Sequence, residues 1–339
     1  MENEVFRYYS LNRYLKETFG CKVYKLALDG GMTCPNRDGT LGSRGCIFCG
    51  EGGSGEFARR VVLRGHSSGS REEQVAAAET LEKGFCDNDC WPAGILPVWD
   101  QIEAAKSRVR KKMRDGKYIA YFQSFTNTYA PVDYLEPLFS QAIAHPDVAA
   151  LSIATRPDCL PPDVLDLLGR LSRIKPVWVE LGLQTVHSRT AAYIRRGYEA
   201  DRYTWAVKAL KAAGVSHIIT HVILGLPGET VEDMVETARF AAKAGTDGIK
   251  LQLLHVLRGT DLASEYERGR FQVMSLEQYR EALYRCVEAL PPEVVIHRLT
   301  GDGPKRLLIA PEWSKDKKRV LNAIMKGMEE QDVWQGATV

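Results

Sequence analysis

Three cysteines, Cys34, Cys46 and Cys49, fall within sixteen residues of the segment LDGGMTCPNRDGTLGSRGCIFCGEGGSG. Thiolates spaced C-x11-C-x2-C hold a metal, but they supply one ligand fewer than the four that close a structural zinc site or complete an iron–sulfur cluster. An iron left with an open position binds a substrate or a cofactor. A distant His or Cys would instead finish an ordinary zinc site, and the spacing alone leaves both open. Glycines at 30, 31, 39, 42, 45, 50, 52, 53 and 55 let the chain wrap a metal centre and offer amide donors to its sulfurs. Cys86 and Cys90, in CDNDC, form a second close pair. A second cluster would need more ligands than this, so they read as free thiols. Cys21, Cys159 and Cys286 stand alone and read as small buried hydrophobes.

The elements that must position these residues follow from periodicity. Apolar, β-branched runs predict buried strands at Lys22 to Leu28, Tyr118 to Phe122, Val148 to Ala154, Val177 to Leu183, His217 to Leu224 and Gly248 to His255. Between most of them lie helical patterns, DYLEPLFSQAIAHP, PDVLDLLGRLSRIKP, SRTAAYIRR, RYTWAVKALKAAG and TVEDMVETARFAAKAG; the last two end in Gly214 and Gly245, expected C-terminal caps. Strand and helix alternating six times build a parallel sheet, an α/β fold two units short of a complete eight-stranded barrel, with functional residues at the carboxyl ends of the strands. The cysteine segment begins at such an end.

Two regions lie outside the repeat. Residues 51–116 join the first two strands through a Gly- and Ser-rich stretch, a predicted helix near Glu72 to Lys83, the CDNDC segment and a basic helix from Gln101 to Arg114. After residue 260 a helix, a short strand in PPEVVIHRLTGDGP and a Lys/Arg-rich helix form a C-terminal extension. The division is therefore an N-terminal segment 1–20, a barrel 21–260 and an extension 261–339. With 45 Lys and Arg against 43 Asp and Glu over 339 residues, the chain is no polycation, though a local basic face is allowed. No apolar run reaches the roughly 20 residues of a membrane-spanning helix, and the N-terminus lacks a secretory apolar core. The expectation is a cytoplasmic protein with reduced thiols.

The motifs together resemble the radical S-adenosylmethionine (radical SAM) superfamily. The usual spacing there is C-x3-C-x2-C; the lengthened first gap resembles the branch of the Elongator catalytic subunit and its small bacterial relatives. YFQSFTNTY, SIATRPDCL, VELGLQTVH and HVILGLPGET look like the family's second- to fifth-strand segments, in order and each at a predicted strand end. The similarity is closest to the compact bacterial MnmL/YtqA-type proteins, which share KYIAYFQSFTNTYAP-, TRPDCLP-, VELGLQT- and HRLTGDGP-like segments.

The resemblance implies a partial (β/α)6 radical SAM barrel. It implies that Cys34, Cys46 and Cys49 ligate a 4Fe-4S cluster whose fourth iron takes S-adenosyl-L-methionine. Reductive cleavage then gives a 5′-deoxyadenosyl radical, with electrons from a donor such as a flavodoxin or ferredoxin. It implies a tRNA partner whose wobble uridine side chain is converted from carboxymethylaminomethyl toward aminomethyl. For the cofactor it points to Phe48 near adenine, to Gln123 and Ser124 where the family often has Gly-Gly, and to Thr126 and Asn127 as helpers. Thr155, Glu180 and Gln184 would meet the ribose, and Arg196 the cofactor carboxylate, with Arg195 as the one-residue alternative.

Other residues have competing readings. His221, His255 and His297 sit in or beside apolar strands, where a histidine is more often a satisfied core residue than a catalyst. His297, Arg298 and Asp302, in HRLTGDGP, are the candidates for the catalytic substrate pocket, although GDGP also reads as a turn. KSRVRKKMR at 106–114 and KDKKR at 315–319 are either phosphate contacts or solvated helix faces. Two other functions compete with tRNA modification: radical chemistry on a small metabolite or protein side chain, and a zinc-binding interaction module.

Overall fold

The computed structural model describes residues 6–53, 97–109, 113, 116–301 and 303–339. One parallel sheet contains Val23–Leu28 (β1), Lys117–Phe122 (β2), Val148–Thr155 (β3), Val177–Gln184 (β4), His217–Leu224 (β5), Gly248–Leu253 (β6) and Val295–Arg298 (β8), in the order β1-β2-β3-β4-β5-β6-β8. The two-residue strand Val256–Leu257 (β7) pairs antiparallel with Leu308–Ala310 (β9). The six expected strands are all present. The seventh comes from the region expected to pack outside the barrel, and this is a correction: β8 joins β6 in parallel. Its four residues are too few to show a period, so sheet membership is not legible in them.

The sheet is curled. In a flat sheet β1 and β4 would lie about 14 Å apart, three spacings of roughly 4.8 Å, yet Lys25 on β1 reaches Glu180 on β4 at 2.5 Å. Helices cover the convex face: Val98–Val109 (α2), Val132–Ala144 (α3), Pro162–Ser172 (α4), Ala200–Ala212 (α6), Val231–Ala244 (α7) and Leu276–Glu288 (α9) contribute to one large core with the outward residues of the strands. Leu11–Phe19 (α1), Ser188–Tyr193 (α5), Asp261–Glu267 (α8) and Lys317–Glu330 (α10) complete the set among the described residues. Local signals fix the ends: reciprocal Thr230/Asp233 and Ser275/Gln278 capping boxes start α7 and α9. Gly214 and Gly245 stop α6 and α7 with φ of 84° and 96°. The helix expected near residues 72–83, the CDNDC pair and Asp302 lie outside the described residues.

Because side chains alternate along a strand, the concave face is built in layers. Val23, Ile119, Ala150, Trp178 and Ile219 form an apolar floor closed by Leu15 of α1. Two residues further along the same strands stand Lys25, Tyr121, Ser152, Glu180 and His221. Two further, Gln123, Ala154, Gly182 and Ile223 line an open cavity.

His297 belongs to the floor. Its Nε2 lies 2.9 Å from Nε2 of His217, Tyr14 stacks on His217 at 4.8 Å, and Trp178 meets both rings. The register shift between Ile249 and Lys250 puts Arg298, not His297, beside Lys250. His297 is therefore not among the residues lining the cavity, against expectation, whereas Arg298 is.

Burial pushes His217 down to about 3, and burial, with Lys25 and His217 adding to it, holds His297 well below its usual range. Both titrate near 6.5 when unfolded, so the unfolded chain binds more protons at every pH between. The contribution to stability is thus fully present above about pH 6.5 and falls as pH drops toward 3. His217→Phe should flatten the loss of unfolding free energy between pH 6.5 and 4.5, by at most about 1.4 kcal/mol per pH unit for each proton removed. Urea titrations across that range would give parallel curves if the pair played no part.

Candidate active site

The cysteine loop follows β1 directly and is held on three sides. Within it, Arg37 N donates to Cys34 O at 2.8 Å and Cys49 N to Cys46 O at 3.0 Å, tight turns that bring the thiols together. Ile47 bridges two neighbours, its N donating to Ile194 O at 3.2 Å and its O accepting from Leu262 N at 2.8 Å. Arg44 and Arg195 both pair with Asp261 at the start of α8. The Arg37 guanidinium spans the loop to Cys49 O and Gly50 O at 2.9 and 2.6 Å. Asn36 Nδ2 donates to Arg195 O at 2.7 Å and approaches Cys46 Sγ at 3.4 Å. Gly53, at φ 59°, lies where a Cβ would stand 2.3 Å from the Phe125 ring, so only glycine fits.

Cys34, Cys46 and Cys49 line the cavity with Phe48, Gln123, Thr126, Thr155, Glu180, Gln184 and Arg196, which brings together most of the expected cofactor residues. Ser124 and Asn127 are buried and do not line it. Asn127 is a tie: its Nδ2 donates to Phe122 O at 3.1 Å and Ala154 O at 2.9 Å, joining the ends of β2 and β3. Thr155 Oγ1 meets Thr128 Oγ1 at 2.6 Å. Gln184 folds back over Gly182, where a Cβ would be 2.5 Å from its Nε2.

Of the two arginines, Arg195 faces Asp261, and Arg196 is the one at the cavity. Arg196 is 1% exposed. Its Nε donates to Tyr198 O at 2.7 Å, and its Nη1 to Leu183 O and Thr185 O at 2.9 and 2.5 Å. Its Nη2 is buried without a hydrogen-bond partner. A buried guanidinium held by carbonyls and keeping one unused donor fits an anionic ligand such as a carboxylate.

The donor set also fits an iron–sulfur cluster better than zinc. Thiolates on one zinc would lie about 3.8 Å apart, from 2.3 Å bonds at tetrahedral angles. Among the described residues, the groups of His, Cys, Asp and Glu with ligand atoms within 4.8 Å of one another are Glu103–His145–Asp147 and His187–Asp233–Glu236. The three cysteines are spread more widely than that.

Beneath the cavity lies a cluster that sequence reasoning did not assemble. Glu180 Oε1 accepts from Lys25 Nζ at 2.5 Å and Ser152 Oγ at 3.0 Å. Its Oε2 accepts from Tyr121 Oη at 2.8 Å, from Lys250 Nζ, and from His221 Nε2 at 2.6 Å. Burial alone would raise this carboxyl, but the two lysines and His221 hold it well below the carboxylate range. Burial, then Lys250, brings His221 to about 4, a neutral imidazole donating to Glu180. Burial, then Glu180, keeps the Tyr121 phenol well above its usual value. Glu180 was expected to serve the ribose; it lines the cavity, but five protein donors already engage its oxygens. The missed signal was periodic: Lys25, Tyr121, Glu180, His221 and Lys250 are polar residues at inward positions of strands otherwise apolar.

The family model of the radical SAM superfamily matches residues 40–241, and that of the Radical_SAM C-terminal domain matches residues 246–330. The YtqA protein of Bacillus subtilis is 43% identical over 330 residues, 97% of this chain and 92% of its own length. A tRNA uridine(34) acetyltransferase of Methanocaldococcus infernus is 26% identical over 163 residues, 47% of this chain and 30% of that protein. Among solved structures, an archaeal Elp3 of Methanocaldococcus infernus lacking its N-terminus shares the fold, with a TM-score of 0.60 at 20% identity over 70% of this chain and 60% of that one.

Glu180→Gln leaves the buried Lys250 and the partly buried Lys25 without a counter-charge and should cost about 3–5 kcal/mol. The melting temperature should drop by roughly 4–7 °C. Adding Lys25→Met to that variant should recover part of the loss; an unchanged melting temperature in the single variant would remove the cluster from the stability argument.

Proposed function

Because the chain belongs to the radical SAM superfamily, we propose that it acts on tRNA, on the wobble uridine side chain, converting a carboxymethylaminomethyl group toward aminomethyl. It is a radical SAM enzyme, and the family uses a 4Fe-4S cluster and S-adenosyl-L-methionine. The observation that carries the tRNA reading is the similarity, over about half the chain, to a protein named for tRNA uridine 34.

In this reading Cys34, Cys46 and Cys49 hold the cluster, and Arg196 takes the cofactor carboxylate with its unused Nη2. When bound, these groups supply a 5′-deoxyadenosyl radical that removes a hydrogen atom from an unactivated carbon. The chain's own part is placement. Phe48 and Ile223 exclude water beside the cysteines, Asn127 fixes the strand ends, and the Glu180 cluster makes a rigid floor under the reacting groups.

Charge on the outer surface supports a polyanionic partner. Lys317, Lys318 and Arg319 are exposed in the first turn of α10, which has no acidic residue. The Asp316 carboxylate caps this helix start, accepting from Arg319 N at 3.1 Å, and the cations that follow it offer charge to phosphates. The stretch from Lys106 is less suited: Lys106 is paired at 2.6 Å with both Glu103 and Asp147.

Anaerobic reconstitution should give about four irons per chain. Cys34→Ala, Cys46→Ala or Cys49→Ala should lose them, whereas Arg196→Ala keeps the iron and binds S-adenosyl-L-methionine more weakly. Iron retained by the Cys34 variant would overturn the ligand assignment.

Nucleoside analysis of tRNA from a deletion strain should show the carboxymethylaminomethyl form accumulating. Binding to tRNA should weaken steeply as salt rises, and neutralising Lys317, Lys318 and Arg319 should flatten that slope. An unchanged nucleoside profile together with no specific tRNA binding would favour a small-metabolite substrate.

A further inference from the structure

The cluster around Glu180 sets two lysines against one carboxylate. Lys25 and Lys250 both pair with Glu180, His221 is neutral, and Tyr121 is un-ionised. Both carboxylate oxygens are saturated, so they accept nothing further from the cavity. Lys250, by contrast, has donor capacity left. An ammonium has three N–H donors and no acceptor; one goes to Glu180 and one to Tyr121 Oη at 3.3 Å. Lys250 lines the cavity beside Gln252, Ile223, Leu254 and Arg298. Ile223 belongs to β5, Lys250 and Gln252 to β6, and Arg298 to β8, and Ile223 and Leu254 share an apolar cluster with Ile47 of the cysteine loop.

We infer that Lys250 anchors a carboxylate at the reacting end of the substrate, its third N–H bonding the anion while Ile223 and Leu254 pack against the adjoining methylene. The identity of that carboxylate as a carboxymethylaminomethyl group rests on the tRNA reading above; the anion subsite itself rests on the cavity. Arg196, after β4, and Lys250, on β6, are two different cations lining the cavity, one for the cofactor carboxylate and one for the substrate carboxylate. Protonating Lys250 beside Lys25 and Arg298 is unfavourable until a further anion offsets it, which makes the subsite selective for an anionic over a neutral or cationic group. Burial, with Lys25 and Arg298 adding to it and Glu180 opposing, brings Lys250 to about 7. A bound carboxylate raises it again, so at pH 7.5 binding should take up a proton.

The test titrates the reconstituted protein with two anticodon stem-loops, one carrying 5-carboxymethylaminomethyluridine at the wobble position and one carrying 5-aminomethyluridine. Calorimetry in two buffers of different ionisation heat counts protons. The wild type should prefer the carboxylate-bearing stem-loop by about tenfold, the worth of one charge-assisted contact, with proton uptake at pH 7.5. Lys250→Met should lose the preference and the uptake. Lys250→Arg should keep the preference without the uptake, since a guanidinium does not titrate. Equal preference in the wild type and Lys250→Met overturns the subsite while leaving the tRNA reading intact.

If neither stem-loop binds, the tRNA reading fails, and N-methylglycine becomes the probe. Binding that requires Lys250 then sustains the subsite, and binding indifferent to it, or absent, overturns it. Iron content and melting temperature check each variant; should Lys250→Met not fold, proton uptake present in the wild type and absent in Lys250→Arg decides the matter.

Discussion

Taking a carboxylate and two ammonium groups out of water costs several kcal/mol per ion unless geometry and hydrogen bonds offset it, and Glu180, with no exposed side-chain surface, is where that offset occurs. Its five donors come from β1, β2, β3, β5 and β6. A flat sheet could not deliver Lys25 and Lys250 to the same carboxylate, so the cluster and the curl of the sheet require each other. The apolar floor below and the cavity above are then fixed by the two-residue period of the same strands. Removing the carboxylate therefore disturbs more than one ion pair: it leaves two like charges facing each other at the centre of the barrel.

The cysteine loop depends on a second set of constraints, outside the sheet. Its turns set the spacing of the thiols, but its place over the cavity comes from Asn36, Ile47 and Arg44, which attach it to the end of α5 and the start of α8. Asp261 holds Arg44 and Arg195 at once, and Arg195 stands in the left-handed region at φ 57°. That backbone excursion separates the two adjacent arginines, sending Arg195 to Asp261 and Arg196 into the interior. The division between them is thus a consequence of how α5 ends.

Much of this was legible in the sequence, and the reasons differ by element. The six long strands were readable because each is buried on both faces and reads as an apolar run; β8 was not, because four residues carry no period. The cysteine ligands were readable because metal chemistry demands a particular atom at a local spacing. The Glu180 cluster was not: its lysines are 155 and 70 residues away, and Lys25 in VYKLAL or Lys250 in GIKLQL looks like any polar position on a strand. His297 was assigned to the pocket from its motif, whereas a one-residue register shift decides which of His297 and Arg298 lines the cavity. Sequence spacing does not encode that shift.

The two cations Arg196 and Lys250, both lining the cavity, differ in a way that suits different ligands. Arg196 keeps its charge at any pH a protein tolerates, and it is fixed by three carbonyls, as fits a ligand required in every turnover. Lys250 holds its proton near neutrality only with help from an anion, because burial and two neighbouring cations work against it. A substrate that arrives with a carboxylate stabilises the charged form of Lys250; a product that leaves without one removes the reason for that charge, and the ammonium sheds its proton more readily. On this assignment the carboxylate that restores the Lys250 charge favours substrate entry, and its loss removes that contact from the aminomethyl product, so discrimination and release both follow from one lysine placed against a carboxylate already fully engaged.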